Sequence, residues 1–112
     1  MSEVETTTMR CDLLIVGGSL EGCVAAIRAA RHGQNVYLVE KSGALGGMSS
    51  NGLAAWMGPN NGSDNSLRTE LLMRLGCVDG PEGALYPDQR MKVVLGEMLR
   101  ASGVQWLTHV FL

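Results

Sequence analysis

Apolar and polar positions fall into blocks along this chain. Residues 1–10 are polar and threonine-rich, and read as a disordered tail. The first apolar run, Leu13-Leu14-Ile15-Val16, stops abruptly at Gly17-Gly18. After Gly22 small apolar residues recur at helical spacing, with Cys23, Ile27 and Ala30 on one stripe and Val24 and Ala26 beside it. This pattern predicts a buried strand, a tight turn and a helix over residues 20–32 that ends at Gly33. Arg28, Arg31 and His32 lie toward its C-terminus, where positive charge suits the helix dipole. A second run, Val36-Tyr37-Leu38-Val39, then closes on Glu40. Unbroken apolar runs of this length predict parallel strands covered on both faces.

The remainder is read in the same way. Trp56 and Met57 are expected to pack in the core, ahead of a turn-rich loop at residues 58–65. Leu67, Leu71, Leu72 and Leu75 predict the inward face of a helix over residues 66–75, capped by Gly76. Gly80-Pro81-Glu82-Gly83 is a turn. Pro87 and Asp88 open a third helix that buries Val94, Leu95, Met98 and Leu99, and a last strand follows Gly103. The expected fold class is α/β, a Rossmann-like βαβ unit with a partial parallel sheet and additional helices.

Composition narrows the classes. With 112 residues, 46% of them hydrophobic, the chain suits one domain with a modest core. A net charge of −2 offers no basic footprint for nucleic acid. The first apolar run is too short to span a bilayer, and residues 1–10 lack the basic start and apolar core of a signal peptide. A cytoplasmic location follows as the default. Cys11, Cys23 and Cys77 have no metal-ligand spacing, and their odd number fits reduced thiols. No Cys-x-x-Cys is present. Cys23 falls in the first helical turn, where a thiolate would be stabilised, but it reads more simply as a small buried apolar residue.

The candidate chemistry lies between the two first strands. Gly17 supplies the turn from strand to helix, and Gly22 lets the helix lie close on the strand. The backbone N–H groups of Gly18, Ser19, Leu20 and Glu21 lie near the open end of that helix, where donors and dipole favour a pyrophosphate. Glu40 lies eighteen positions beyond Gly22, at the end of the second strand, where a carboxylate can accept from a ribose 2′,3′-diol and would repel a 2′-phosphate. Strand, glycine turn, helix, strand and acid form the dinucleotide-binding pattern. Ser19 stands where the G-x-G-x-x-G pattern has its middle glycine, adding a Cβ but also a hydroxyl donor. Glu21 is read as a solvent-facing acid that complements the helix N-terminus. The bland alternative is a βαβ unit of another α/β fold that binds no nucleotide.

Three blocks carry a family resemblance: residues 14–22, then Val36-Tyr37-Leu38-Val39-Glu40-Lys41, then Gly43-Ala44-Leu45-Gly46-Gly47-Met48. Together they resemble the N-terminal part of FAD-dependent oxidoreductases of the glutathione-reductase and fumarate-reductase type. The segment Gly46-Gly47-Met48-Ser49-Ser50-Asn51-Gly52-Leu53 is similar to a Gly-Gly-Met-(Ser/Thr)-x-x-Gly-Leu block of that family. The resemblance implies that this loop runs along the pyrophosphate and ribityl chain, so Lys41, Gly46, Gly47 and Met48 join Gly17, Gly18, Ser19, Leu20, Glu21, Gly22 and Glu40 as cofactor-binding candidates. It also implies a strand order of 3-2-1, and an adenine contact just past the last strand, at Leu112 or, if the register slips, at Val110 or Phe111. His109, at the end of that strand, is read as a structural residue and not a catalytic one.

Residues 11–112 are therefore expected to be the N-terminal part of an FAD-binding domain. Its expected role is to hold the ADP and pyrophosphate of FAD for two-electron chemistry on a small molecule. Alternatives are a non-catalytic nucleotide-binding module and an NAD-binding subunit. No substrate site, catalytic residue or metal site is recognisable, so the chain is expected to be inactive alone. Its first strand is expected to have an open apolar edge, which calls for a partner chain or leads to self-association.

Overall fold

The computed structural model describes residues 5–47, 56–60 and 66–111. The expected first unit is present. Strand β1 (Leu13–Val16) runs into helix α1 (Leu20–Arg31), which returns the chain to strand β2 (Val36–Val39). Ser19 caps α1, its Oγ accepting from the Gly22 N–H at 3.2 Å. His32 forms the C-cap, and its Nδ1 lies 2.8 Å from Arg28 O. Gly33 then leaves the helix at φ +90°.

The crossover from β2 holds β3 (Trp56–Met57), α2 (Ser66–Leu75), β4 (Ala84–Leu85) and α3 (Asp88–Ser102), and ends at β5 (Gln105–Leu107). Gly76 and Gly103, both in the left-handed region, close α2 and α3. In each case the following residue donates back five positions, Cys77 N–H to Leu72 O and Val104 N–H to Leu99 O.

The three long-range strands form a parallel sheet in the order β1-β2-β5. Two right-handed crossovers in the same direction put α1 and α3 on one face, where they pack against each other and α2 packs on α3. The core lies there, built from Ile27 of α1, Val36 and Leu38 of β2, Leu71 and Leu72 of α2, and Met91, Leu95, Met98 and Leu99 of α3. Cys23 is wholly buried in it, and burial pushes its thiol pKa up to about 12. A neutral, inaccessible thiol is a packing group and not a nucleophile.

Two expectations need correction. Covering was expected on both faces of the sheet. Leu13 and Ile15 do pack on the core, but Leu14 and Val16 on the opposite face are 53% and 62% exposed, and Leu107 on β5 is also exposed, while Val39 of β2 between them is buried as expected. Four consecutive apolar residues look the same whether one face or two are covered. Trp56, expected in the core, is 56% exposed. It pairs with Leu85 in the antiparallel β3–β4 ribbon, and only its neighbour Met57 leans on the core.

Candidate functional site

The carboxyl ends of β1 and β2 meet the start of α1, and the local geometry follows from three glycines. Gly17 has φ +105°, a conformation that favours glycine. Its N–H donates to Val39 O at 2.8 Å, which ties the turn to β2. At Gly22 an ideal Cβ would lie 2.0 Å from Gly17 O. The helix therefore approaches the turn as closely as a backbone can. At Gly18 a Cβ would meet the Leu45 side chain at 2.7 Å and Glu40 Cβ at 3.1 Å.

The first intrahelical bond of α1 runs from Cys23 N–H to Ser19 O. Leu20 and Glu21 consequently have no backbone acceptor within the helix. The Ser19 hydroxyl, which accepts from Gly22, keeps its own proton for donation. Glu21 is exposed in the first turn.

Glu40 follows β2 directly, and both of its carboxylate oxygens have partners. Oε1 accepts from the Gly18 N–H at 2.8 Å and Oε2 from the Ser42 N–H at 2.6 Å. The Ser42 bond, with that from Gly18, holds the carboxyl below the ordinary carboxylate range. Each oxygen has a second lone pair beyond that backbone bond. The Gly18 N–H, one of the four donors expected near the pyrophosphate, is thus turned toward Glu40.

The Gly-Gly loop lies against this turn. Gly46 N–H donates to Gly18 O at 2.7 Å, and Ser19 and Gly46 form a parallel bridge. Gly46 and Gly47 have φ +103° and +56°, and a Cβ on Gly47 would touch the Ser19 backbone at 3.4 Å. From the other side, the chain beyond β5 straps the acid in place. Glu40 N–H donates to Leu107 O, Val110 N–H to Glu40 O, and His109 N–H to Ser42 O. His109, at φ +58°, lays its ring against Gly43 and is a structural part of this strap.

A cleft of about 220 Å³ opens among these groups, lined by Val16, Gly17, Val39, Glu40, Lys41 and Val110. It lies at the carboxyl ends of parallel strands, where α/β sheets bind ligands. Two other clefts, of about 250 and 310 Å³, lie between α1 and α2. The larger touches Leu20 and Glu21 at the start of α1 but neither is lined by a motif glycine or by Glu40, and Arg31 at the other is already engaged by Glu70 in a two-bond pair. Size alone does not choose among them, whereas chemistry favours the smallest.

Gly17, Gly18, Ser19, Leu20, Glu21, Gly22, Glu40, Lys41, Gly46 and Gly47 thus surround one turn or border its cleft. Met48 and Leu112, the two remaining candidates, lie outside the described residues, as does the rest of the block from Ser49 to Leu53. Of the two alternatives to Leu112, Val110 lines the cleft, whereas Phe111 is exposed and is not among its lining residues. Ser42 and Leu45 were missed by sequence reasoning. Serine two positions after a strand-end acid is a turn signal that would have pointed to Ser42. Among the described residues there is no group of three or more His, Cys, Asp or Glu side chains able to hold a metal ion, and no helix is long and apolar enough to cross a membrane.

Comparison with known proteins gives a consistent picture. The family model for FAD dependent oxidoreductase matches residues 12–112. The 3-oxosteroid 1-dehydrogenase of Mycobacterium tuberculosis is 37% identical over 79 residues, which are 70% of this chain and 12% of that protein. Among solved structures, glycine oxidase from Geobacillus kaustophilus superposes with a TM-score of 0.67 at 15% identity, over 91% of this chain and 47% of that one. Aklavinone-11 hydroxylase, solved in a ternary complex with FAD and aklavinone, superposes with a TM-score of 0.57 at 18% identity, over 93% of this chain and 26% of that one. The chain thus spans about an eighth of the curated relative and less than half of either solved structure.

Proposed function

Since the chain belongs to the FAD dependent oxidoreductase family, we propose that it holds the ADP and pyrophosphate part of FAD within a flavin-dependent oxidoreductase acting on a small molecule. The observation that carries this reading is that the Gly17–Gly22 turn, Glu40 and the Gly46–Gly47 loop are hydrogen-bonded to one another at the strand ends, where Gly17 and Glu40 line a cleft. The residues fit the group. Gly18 and Gly22 let the turn, the acid and the helix pack closely, Ser19 offers a hydroxyl donor in place of the usual middle glycine, the first turn of α1 offers backbone donors, and Glu40 borders the cleft with lone pairs for a ribose diol. Lys41, beside Glu40, adds a positive charge at the rim. Bound FAD would supply two-electron redox chemistry, while this chain's residues bind and orient it.

The substrate site is proposed to lie in polypeptide outside this chain, and the chain to be inactive alone. The cytoplasm is the compartment proposed, in keeping with three free cysteines. The sheet edge suggests a partner. No described strand pairs along the outer side of β1, which carries no charge or proline to protect it. The relatives have most of their length beyond the matched region, so the proposed occupant is a strand from a partner polypeptide. Light scattering on the isolated chain should show self-association, and a stable, monodisperse monomer would overturn this part of the proposal.

The cofactor reading is tested by an absorption spectrum of the freshly purified chain, with release and assay of any bound cofactor. Flavin bands near one equivalent, or their appearance on adding FAD, are the expected result. A colourless protein that FAD does not reconstitute, but that NADH titrates, would point to a nicotinamide site instead.

A further inference from the structure

Glu40 is placed to read the ribose, yet its carboxylate is already engaged by two backbone donors, and one of them belongs to the phosphate turn. We infer that Glu40 is also a positioning residue, a clamp that fixes the glycine turn for the pyrophosphate independently of any ribose contact. This inference rests on the nucleotide reading of the site.

The clamp is built from both sides of one peptide. Gly18 donates its N–H to Glu40 Oε1 at 2.8 Å and accepts at its carbonyl from Gly46 N–H at 2.7 Å. Gly18 is buried, and a Cβ there would strike Leu45 and Glu40. The acid that holds it is itself rigid, because its own N–H donates to Leu107 O and its carbonyl accepts from Val110 N–H, each at 2.9 Å. The glycine turn, the 42–46 loop and the β5 strap are thus joined through one residue, the first two by its carboxylate and the strap by its backbone. The arrangement also answers an electrostatic difficulty. A carboxylate beside an anion site repels the anion, but here two N–H dipoles point at the charge and attenuate its field toward the phosphates.

The clamp requires a carboxylate. Both neighbours are donors, and only a carboxylate presents an acceptor to each. Glutamine presents one oxygen and one NH2, so either Gly18 or Ser42 would face a donor. Aspartate keeps the charge but is one methylene too short to reach both.

The test separates the clamp from the ribose contact. ADP and 2′,3′-dideoxy-ADP are titrated against the wild-type chain, Glu40→Gln and Glu40→Asp. If Glu40 acts through the turn, both variants should lose affinity for the dideoxy nucleotide by about tenfold or more, in line with one charge-assisted hydrogen bond. If Glu40 acts only through the hydroxyls, the dideoxy nucleotide should bind wild type and Glu40→Gln equally, or bind the variant better because a negative charge has gone, and the inference falls. Should wild type bind neither nucleotide, the nucleotide reading itself fails. The clamp is then judged by amide hydrogen exchange in the unliganded chain. Glu40→Gln should speed exchange at Gly18 and Ser42 while leaving Leu95 and Leu99 of α3 unchanged. Unaltered protection at Gly18 would overturn it.

Discussion

Replacing Gly22 with alanine should cost the fold about 3 kcal/mol, at the upper end of overpacking penalties, and prevent FAD uptake. The added methyl would lie 2.0 Å from Gly17 O, so it meets backbone and not the flexible end of a side chain. Relief requires α1 to move off β1, which pulls its first-turn donors away from the phosphate site and strains the Ser19 cap. Gly96 supplies the control. It lies within α3, and a Cβ there meets nothing within 4 Å. Gly96→Ala should therefore stabilise the chain by about 0.5–1 kcal/mol, through helix propensity alone. Urea unfolding of both variants, with flavin reconstitution alongside, checks the pair. If Gly22→Ala unfolded at the wild-type midpoint and still took up FAD, close approach of helix and turn could not be what the site depends on.

The same glycines explain why so much of this fold is legible in the chain. β1 and β2 are short apolar runs with glycine or an acid immediately after them, so local composition marks where each stops. The ends of α2 and α3 are marked by Gly76 and Gly103, whose left-handed backbone a side chain would oppose. What escaped is what depends on distant partners. β3 and β4 are two residues each, too short for any periodicity, and they exist because Trp56 finds Leu85 across the ribbon. The bond from Gly18 to Glu40 spans 22 positions. A sequence shows that an acid ends the strand, and even what ligand it suits, but not which backbone donors reach it first. Whether one face of a sheet is bare is hidden for a further reason. Leu13 to Val16 are all apolar, so the alternation that normally separates inside from outside is missing.

That bare face supplies the second large effect. Leu38 and Leu14 are leucines on neighbouring strands of one sheet, pointing to opposite sides. Leu38 is fully buried under the helices, and Leu14 is 53% exposed. In the isolated chain Leu38→Ala should destabilise by about 2–5 kcal/mol, the cost of a cavity in a packed core. Leu14→Ala should cost less than about 1 kcal/mol, since half of its surface already meets water. Paired denaturation curves at low protein concentration measure the difference. The informative departure is a Leu14 penalty approaching that of Leu38. Such a result would mean that the outer face is covered in solution, and its dependence on protein concentration would say by what. A penalty that vanishes on dilution indicates a second copy of the chain, because only association in trans weakens with concentration. A penalty that appears only when a partner polypeptide is added indicates that β1 and its outer face form the seam along which the sheet is completed.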